Sequence, residues 1–238
     1  MWSENYLFFR ELLKDSITED NFIVKEIYIP QEKFDAELYK VDDKHFWDGS
    51  LIKVDAILNS LLEAKNNSNE YILFTDIDII VKPGVYTLLE KYIEDKYDIV
   101  FLKEKSILNI GFMLLRVNDS VVTFWQSIRE KMLNKGGLDQ EYVNELIHTF
   151  TGKYTGFDEG LVTCNNIWDG SSNFLVMQLL CSCLGKEFNM AEKIFNAAQY
   201  TNIESYMKFV PKDIIPFIYK FQELLYRSHK EAKTAGIF

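Results

Sequence analysis

Tyr71 to Val81 reads YILFTDIDIIV, and the fold turns on how this stretch is understood. Tyr71, Ile72, Leu73 and Phe74 form an apolar run that predicts a buried strand. Asp76 and Asp78 then interrupt an otherwise apolar segment. Successive side chains of extended chain point to opposite faces, so carboxylates two residues apart share one side. Two buried, unpaired carboxylates would repel each other and lose hydration. Exposure at the strand's end relieves that cost, and so does a divalent cation; hard oxygen ligands suit Mg²⁺ or Mn²⁺. The plainer alternative is an acidic turn closing a strand, a place where Asp is common.

Working outward, Ser50 to about Lys65 predicts an amphipathic helix, with Leu51, Val54, Ile57, Leu58, Leu61 and Leu62 at helical spacing. Lys53 lies at the edge of that stripe, in the first turn, where the helix dipole gives a cation no support. It reads either as a solvated, snorkelling side chain or as a phosphate contact. Further upstream, Ser3 to about Lys14 predicts a helix capped by Ser3, Phe22 to Ile29 a strand stopped by Pro30, and Gln31 to Phe46 a polar loop. His45 to Ser50 reads as a turn before the next helix.

Downstream, Pro83-Gly84 turns the chain into a helix ending near Glu94, followed by strands at Asp98–Leu102 and Ile110–Val117, the second introduced by Asn109. Asp119 or Ser120 starts a helix with Val121, Phe124, Trp125, Ile128 and Met132 on one face, closed by Gly136-Gly137. Leu138-Asp139-Gln140-Glu141 opens another, to about Ile147, with acidic residues in the favourable first turn. From Thr149 the chain is rich in Gly, Asn and Ser. Phe174 to Cys183 fits either a strand or a buried helix, and two or three helices close the chain, the last from about Asp213 to Arg227. Alternating strands and helices predict a layered α/β sheet, and in such sheets ligands gather beyond the carboxyl ends of strands. No linker or repeat divides the chain, so one domain is expected, with the residues after about 149 forming a second part packed on the first.

The 238 residues are 47% hydrophobic and 26% charged, with 18 Phe and 13 Tyr, enough for a bulky core and for ring faces that sugars or bases could stack on. A formal charge of −10 disfavours nonspecific binding to nucleic acid or anionic membrane. An anionic substrate would need a metal or a local basic group. Cys164, Cys181 and Cys183 read as reduced thiols of a cytoplasmic protein. Met1-Trp2-Ser3-Glu4 lacks the basic start of a signal peptide, and no apolar run approaches membrane-spanning length.

Four features then stand in order: Lys53 in a helix, a strand ending Asp76-Ile77-Asp78, Asn109-Ile110-Gly111 leading an apolar strand, and Leu138-Asp139-Gln140 opening a helix. This order resembles the glycosyltransferases of GT-A fold, most closely the glycogenin-like and plant-wall or viral nucleotide-diphospho-sugar transferase group, over roughly Phe22 to Ile147. The resemblance implies a Rossmann-like, mixed but mostly parallel sheet flanked by helices, with a helical C-terminal part. It implies that residues to about 149 bind a nucleotide sugar and that about 150–238 serve the acceptor. It implies that Asp76 and Asp78 hold Mn²⁺ or Mg²⁺ on the donor diphosphate, with Asp76 also touching ribose or sugar. Lys53 would reach the donor, Asn109 and Gly111 would approach its sugar, and Asp139 and Gln140 would line the reacting carbon.

The family's first strand is short or missing in this chain, and so is its late histidine ligand. His45, His148 and His229 lie in no strand-end motif, which leaves Gln178 or Asn173 as candidates for a third metal ligand. The expected activity is metal-dependent transfer of a hexosyl or pentosyl group from a nucleotide-diphosphate sugar, UDP-sugar favoured, to a glycan or glycoprotein hydroxyl. Asp139-Gln140 points to retention; an inverting enzyme would need a carboxylate base such as Asp158 or Glu159. Two alternatives stand beside it. One is a non-catalytic nucleotide-sugar-binding relative. The other is a haloacid-dehalogenase-type phosphatase, whose strand-end Asp-x-Asp supplies a nucleophile and a general acid.

Overall fold

The computed structural model describes residues 3–19, 21–30, 44–167, 170, 173–181 and 186–234. The chain opens with a 3-10 turn, Glu4–Tyr6, that runs into helix α1 (Leu7–Ser16). Ser3 gives no side-chain cap; its carbonyl accepts from the Tyr6 amide at 2.8 Å, so the expected helix begins a turn later as α1. Phe8, Phe9, Leu12 and Leu13 form its buried face. Phe22 to Ile29 is not the expected strand: Tyr28 makes a single bridge, and Ile23 is 99% exposed. Strand preference is a preference for packing on a half-buried pleat, and Ile23 and Val24 have no such surface beneath them. Most of the expected loop from Gln31 lies outside the described residues.

Helix α2 (Lys44–Asn66) begins before the expected start, so His45 to Ser50 is helix and not turn. One interior glycine, Gly49, costs a helix about 1 kcal/mol, and the buried stripe of Val54, Ile57, Leu58 and Leu61 outweighs it. Strands β1 (Tyr71–Thr75) and β2 (Ile79–Val81) follow, then α3 (Val85–Glu94), entered through Gly84 at φ 101°. Strands β3 (Ile99–Glu104) and β4 (Ile107–Arg116) are joined by Lys105 and Ser106 alone. Asn109 therefore lies inside β4 and does not precede it. Helix α4 (Asp119–Lys135) is capped by Asn118, whose side-chain oxygen accepts from Val121 N at 2.9 Å. After α5 (Asp139–Leu146) come β5 (Tyr154–Gly156), β6 (Val162–Cys164) and β7 (Val176–Gln178), then helices α6 (Lys186–Tyr200) and α7 (Ile215–Thr234). The ambiguous run from Phe174 thus resolves, where described, as the short strand β7.

The strands form two sheets, ordered β1-β4-β3-β5 and β2-β7-β6. Among the described residues the β1/β4, β3/β4 and β2/β7 pairs are antiparallel and only β3/β5 and β6/β7 are parallel, so the mostly parallel sheet is not observed. The cause is local: a two-residue connection such as Lys105-Ser106 joins antiparallel strands, whereas parallel neighbours need a long crossover. The residues after 149 supply β5 to the first sheet and β6 and β7 to the second.

Period-two alternation sends each strand's residues to different cores. Met113 and Leu115 of β4 pack with α2, α4 and Val143 of α5, while Phe112 and Leu114 pack with α3. In β2, Ile79 joins the α3 side, whereas Ile80 joins α1, α6 and α7. Each sheet is therefore covered on both faces. No helix among the described residues is long and apolar enough to cross a membrane.

Candidate active site

Asp76, Ile77 and Asp78 carry the chain from β1 in the first sheet to β2 in the second. Both steps are tied to ladder ends. Asp76 N donates to Gly111 O at 2.7 Å, extending the β1/β4 ladder, and Leu179 N donates to Asp78 O at 2.9 Å, extending β2/β7. Ile77 packs against both the second-sheet core and the α3 core. The backbone under both carboxylates is thereby fixed where the two sheets meet.

A lysine reaches each carboxylate. Lys53 of α2 lies 2.7 Å from Asp76 Oδ1 and 2.9 Å from Oδ2, and its side chain is only 12% exposed. Lys193 of α6 pairs with Asp78 Oδ2. Burial alone would lower the Lys53 pKa, but Asp76, Asp139 and Asp78 outweigh it and hold the ammonium above its ordinary value. Burial also works against Lys193, and the field of Asp78, with Tyr6 behind it, raises it well above the ordinary lysine range. Asp139 goes the other way for a carboxylate: burial pushes its pKa up, and the Lys53 charge and the Gln140 backbone amide only partly oppose this.

Strand β4 bends around this point. Its register with β3 jumps from Phe101↔Met113 to Leu102↔Asn109, so Ile110 to Phe112 bulge out of that ladder. Freed backbone amides must find partners. Gly111 N donates to Asn109 Oδ1 at 2.7 Å, and Ile110 N donates to Gln140 Oε1 at 3.3 Å. Asn144 holds α5 against β4 through Leu108 N at 2.9 Å and Leu108 O at 2.8 Å. Gln140 N donates to Asp139 Oδ1 at 2.9 Å, which fixes that carboxylate at the start of α5. A Cβ on Gly111 would stand 2.1 Å from Gln178 Nε2. The bare glycine is what lets Gln178, at the end of β7, reach across with Nε2 3.4 Å from Asp76 Oδ2.

The structure therefore gathers Lys53, Asp76, Asp78, Asp139, Gly111 and Gln178 at one junction. Asn109 and Gln140 stand beside it with their side chains engaged by the bulged strand. Asn173 and His148 are exposed, and the side chains of His45 and His229 lie outside the described residues. Asp158 Oδ1 accepts from Gly160 N at 2.9 Å and Glu159 pairs with Lys103 at 3.7 Å. Two residues were not foreseen. Glu104 Oε2 accepts from Asn109 Nδ2 at 3.4 Å, and Glu104 Oε1 from Asn166 Nδ2 at 2.7 Å. Lys193 was legible in principle, as a cation on the stripe Met190, Ala191, Ile194 and Ala197 that α6 buries. Cys164, beside Gln178, has its thiol pKa driven far up, first by burial and then by Glu104 and Asp78.

Among the described residues no three His, Cys, Asp or Glu side chains form a metal cage. Mg²⁺ and related hard cations need none: one or two carboxylates suffice when waters and substrate phosphates complete the octahedron. Asp76 and Asp78 are carboxylates of the kind that could serve in this way; each is paired with a buried lysine, and Gln178 is the side-chain amide beside Asp76.

No protein-family model matches the chain, and no curated protein matches it. Its fold is similar to the crystal structure of a glycosyltransferase involved in the glycosylation of the major capsid of PBCV-1, with a TM-score of 0.54 at 12% identity, over 81% of this chain and 92% of that one.

Proposed function

We propose that this chain is a metal-dependent glycosyltransferase of GT-A type. It moves a hexosyl or pentosyl group from a nucleotide-diphosphate sugar, UDP-sugar favoured, to a glycan or glycoprotein hydroxyl in the cytoplasm. The observation that carries the reading is the carboxylate pair Asp76 and Asp78 at the junction of the two sheets, with a buried lysine on each member. The likeness in fold to a solved glycosyltransferase supports it.

In this reading Asp76 and Asp78, with Gln178 as the candidate third ligand, would hold Mn²⁺ or Mg²⁺, which would neutralise charge on the donor diphosphate. Breaking the sugar–phosphate bond concentrates negative charge on the departing nucleoside diphosphate. Lys53 and Lys193 add fixed positive charge beside it, stronger in the transition state than in the ground state. Asp139 and Gln140 line the sugar at its reacting carbon, and Gly111 leaves room for it. A carboxylate at that place would stabilise positive charge on the sugar, and the transfer is taken as retaining from the resemblance of Asp139-Gln140. Residues to about 149 serve the donor and those after it the acceptor.

The test is a thermal-shift panel of UDP-, GDP- and CMP-sugars, each with and without Mn²⁺. A ligand at 100 times its Kd stabilises the native state by about 2.7 kcal/mol. A shift that needs both one nucleotide sugar and the metal is expected. No shift with any member overturns the reading, and phosphate release from monoesters would then point to the phosphatase.

A further inference from the structure

Glu104 closes β3, and Asp76 follows the last residue of β1. These two strands flank β4, both antiparallel to it, so they run the same way and both carboxylates stand at one edge of the first sheet. Neighbouring strands lie about 4.8 Å apart, which puts Glu104 roughly 10 Å from Asp76, with Asn109 and Gly111 of β4 between them. Leu102 packs with α3, Val162 and Cys164, and Glu104, two residues on, shares its face and looks toward the second sheet. Burial, then Glu104 and Asp78, raise the Cys164 thiol, so one sulfur feels both carboxylates. Lys53 and Asp139 come to the same edge from α2 and α5, which cover the opposite face.

Glu104 differs from the other carboxylates in what holds it. Asp76 and Asp78 each have a buried lysine, and Glu159 pairs with Lys103. Glu104 is half-buried and has no cationic partner among the described residues. Its oxygens accept from amides, Oε1 from Asn166 Nδ2 at 2.7 Å and Oε2 from Asn109 Nδ2 at 3.4 Å. Asn109 is itself fixed, because its Oδ1 accepts from Gly111 N at 2.7 Å. The amides orient the carboxylate without neutralising it. An ionised carboxylate has about four lone-pair sites and no donor of its own, so a site remains on each oxygen. A partly desolvated charge left in this state is a cost that two further donors would relieve. Asn166 is exposed, so the place is open to solvent.

We infer that Glu104, oriented by Asn109 and Asn166, is the acceptor-binding carboxylate, and that its free lone pairs receive two neighbouring hydroxyls of a neutral sugar at the end of the acceptor glycan. This rests on the glycosyltransferase reading, in which Asn109 and Gly111 approach the transferred sugar; Glu104 bonds to Asn109 directly, with no ion pair between them. The acceptor comes in over β3, beside the place of the transferred sugar on β4. Asn166 is the contribution of the chain after about 149. Hydrogen bonds from hydroxyls to a charged oxygen are short and strong, whereas a phosphate or carboxylate on the acceptor would meet like charge. Selection is therefore for neutral, hydroxyl-rich ends.

The test is ligand-observed NMR binding of a panel of neutral methyl glycosides to the full chain, in the presence of UDP and Mn²⁺, with methyl glucuronide as the anionic probe. At least one neutral glycoside is expected to bind, and the glucuronide is not. Glu104→Gln keeps the size of the side chain but loses the charge and one acceptor oxygen. It is expected to weaken glycoside binding by about tenfold or more, as for loss of a hydrogen bond to a charged group. Asn166→Ala, at an exposed position, is expected to weaken it by a smaller factor. Both variants should keep the thermal shift with nucleotide sugar and Mn²⁺, because Gly111 N still holds Asn109. No glycoside binding, unchanged binding in Glu104→Gln, or preference for the glucuronide overturns the assignment. Loss of the nucleotide-sugar shift in Glu104→Gln also overturns it, since Glu104 would then act on the donor through Asn109. If Glu104→Gln loses a glycoside that wild type binds, but no nucleotide sugar shifts the wild type, Glu104 stands as a sugar-binding carboxylate and the donor reading falls.

Discussion

Asp76 and Asp78 are two residues apart and belong to different halves of the molecule. Asp76 ends the first sheet's strand β1, meets Lys53 from α2, and is 26% exposed at its side chain; Asp78 leads into the second sheet's β2, meets Lys193 from α6, and is 9% exposed. The two lysines are about equally exposed, at 12% and 14%. The difference lies in the carboxylates: one keeps a face to solvent and the other has almost none. An ion pair that has lost its water depends on its partner, whereas a partly hydrated one depends on it less. The half built on the second sheet is therefore the more tightly coupled of the two.

The largest expected effect comes from removing Asp78. Asp78→Ala is expected to abolish the metal-dependent shift with nucleotide sugar, and to leave Lys193 buried without its counter-charge, at a cost of about 3–5 kcal/mol. Asp78→Asn keeps the shape of the site and should retain more stability with the same loss of metal dependence. Isothermal titration with Mn²⁺ on both variants checks this; wild-type metal affinity in Asp78→Asn would sink the metal assignment.

Next in size is the contrast between the lysines. Lys193→Met should destabilise the metal-free protein by about 3 kcal/mol or more, and Lys53→Met by about half that, since water can still reach Asp76. Mn²⁺ should restore more stability to Lys193→Met than to wild type, because it replaces the charge that Asp78 has lost. Urea titrations of both variants, with and without Mn²⁺, measure all four values. Equal losses for the two lysines would mean that the exposure difference between Asp76 and Asp78 has no energetic weight.

The same division governs what could be read in the sequence. The first-sheet half was largely legible. Apolar spacing marked α2 and α4, the run from Tyr71 marked β1, and Lys53, Asp76, Asp78, Asn109, Gly111, Asp139 and Gln140 could be named in order. Their elements are long or strongly patterned, so local signals suffice. The second-sheet half was not, because its strands are short and their partners distant: β2 finds β7 across nearly a hundred residues. Nothing local in Phe174 to Cys183 separates strand from helix, and nothing local in α6 says that Lys193 would meet Asp78. Phe22 to Ile29 failed in the opposite sense. It carries strand composition, and the folded chain gives it no pleated surface to pack on.

Gly111→Ala probes the contact between the halves with a smaller effect. The new Cβ would stand 2.1 Å from Gln178 Nε2 and 2.6 Å from its Cδ, so the flexible end of Gln178 must swing off Asp76. Overpacking of this kind costs about 1–3 kcal/mol. If Gln178 is a metal ligand, Gly111→Ala and Gln178→Ala should weaken Mn²⁺ by the same factor, and the double variant should add nothing. Additive losses would show that the glycine acts through something other than Gln178.

The smallest expected effect is at Asp139, and its sign separates a functional carboxylate from a structural one. Burial raises its pKa in the folded state, so between the ordinary carboxylate range and that raised value the folded protein binds more protons than the unfolded chain. Stability contributed by this group therefore falls as pH rises through that interval and is not regained at neutral pH. Lys53, also raised, contributes stability that is lost only above the ordinary lysine range, so it does not disturb the neutral region. Asp139→Asn removes the buried charge and can still accept from Gln140 N. It should match or exceed wild-type stability at pH 7, by up to about 1 kcal/mol, fall behind near pH 4, and lose sugar transfer. A group kept at a cost in stability is kept for its chemistry. Chemical denaturation at the two pH values decides it: a variant less stable than wild type at pH 7 would make Asp139 a structural anchor for α5.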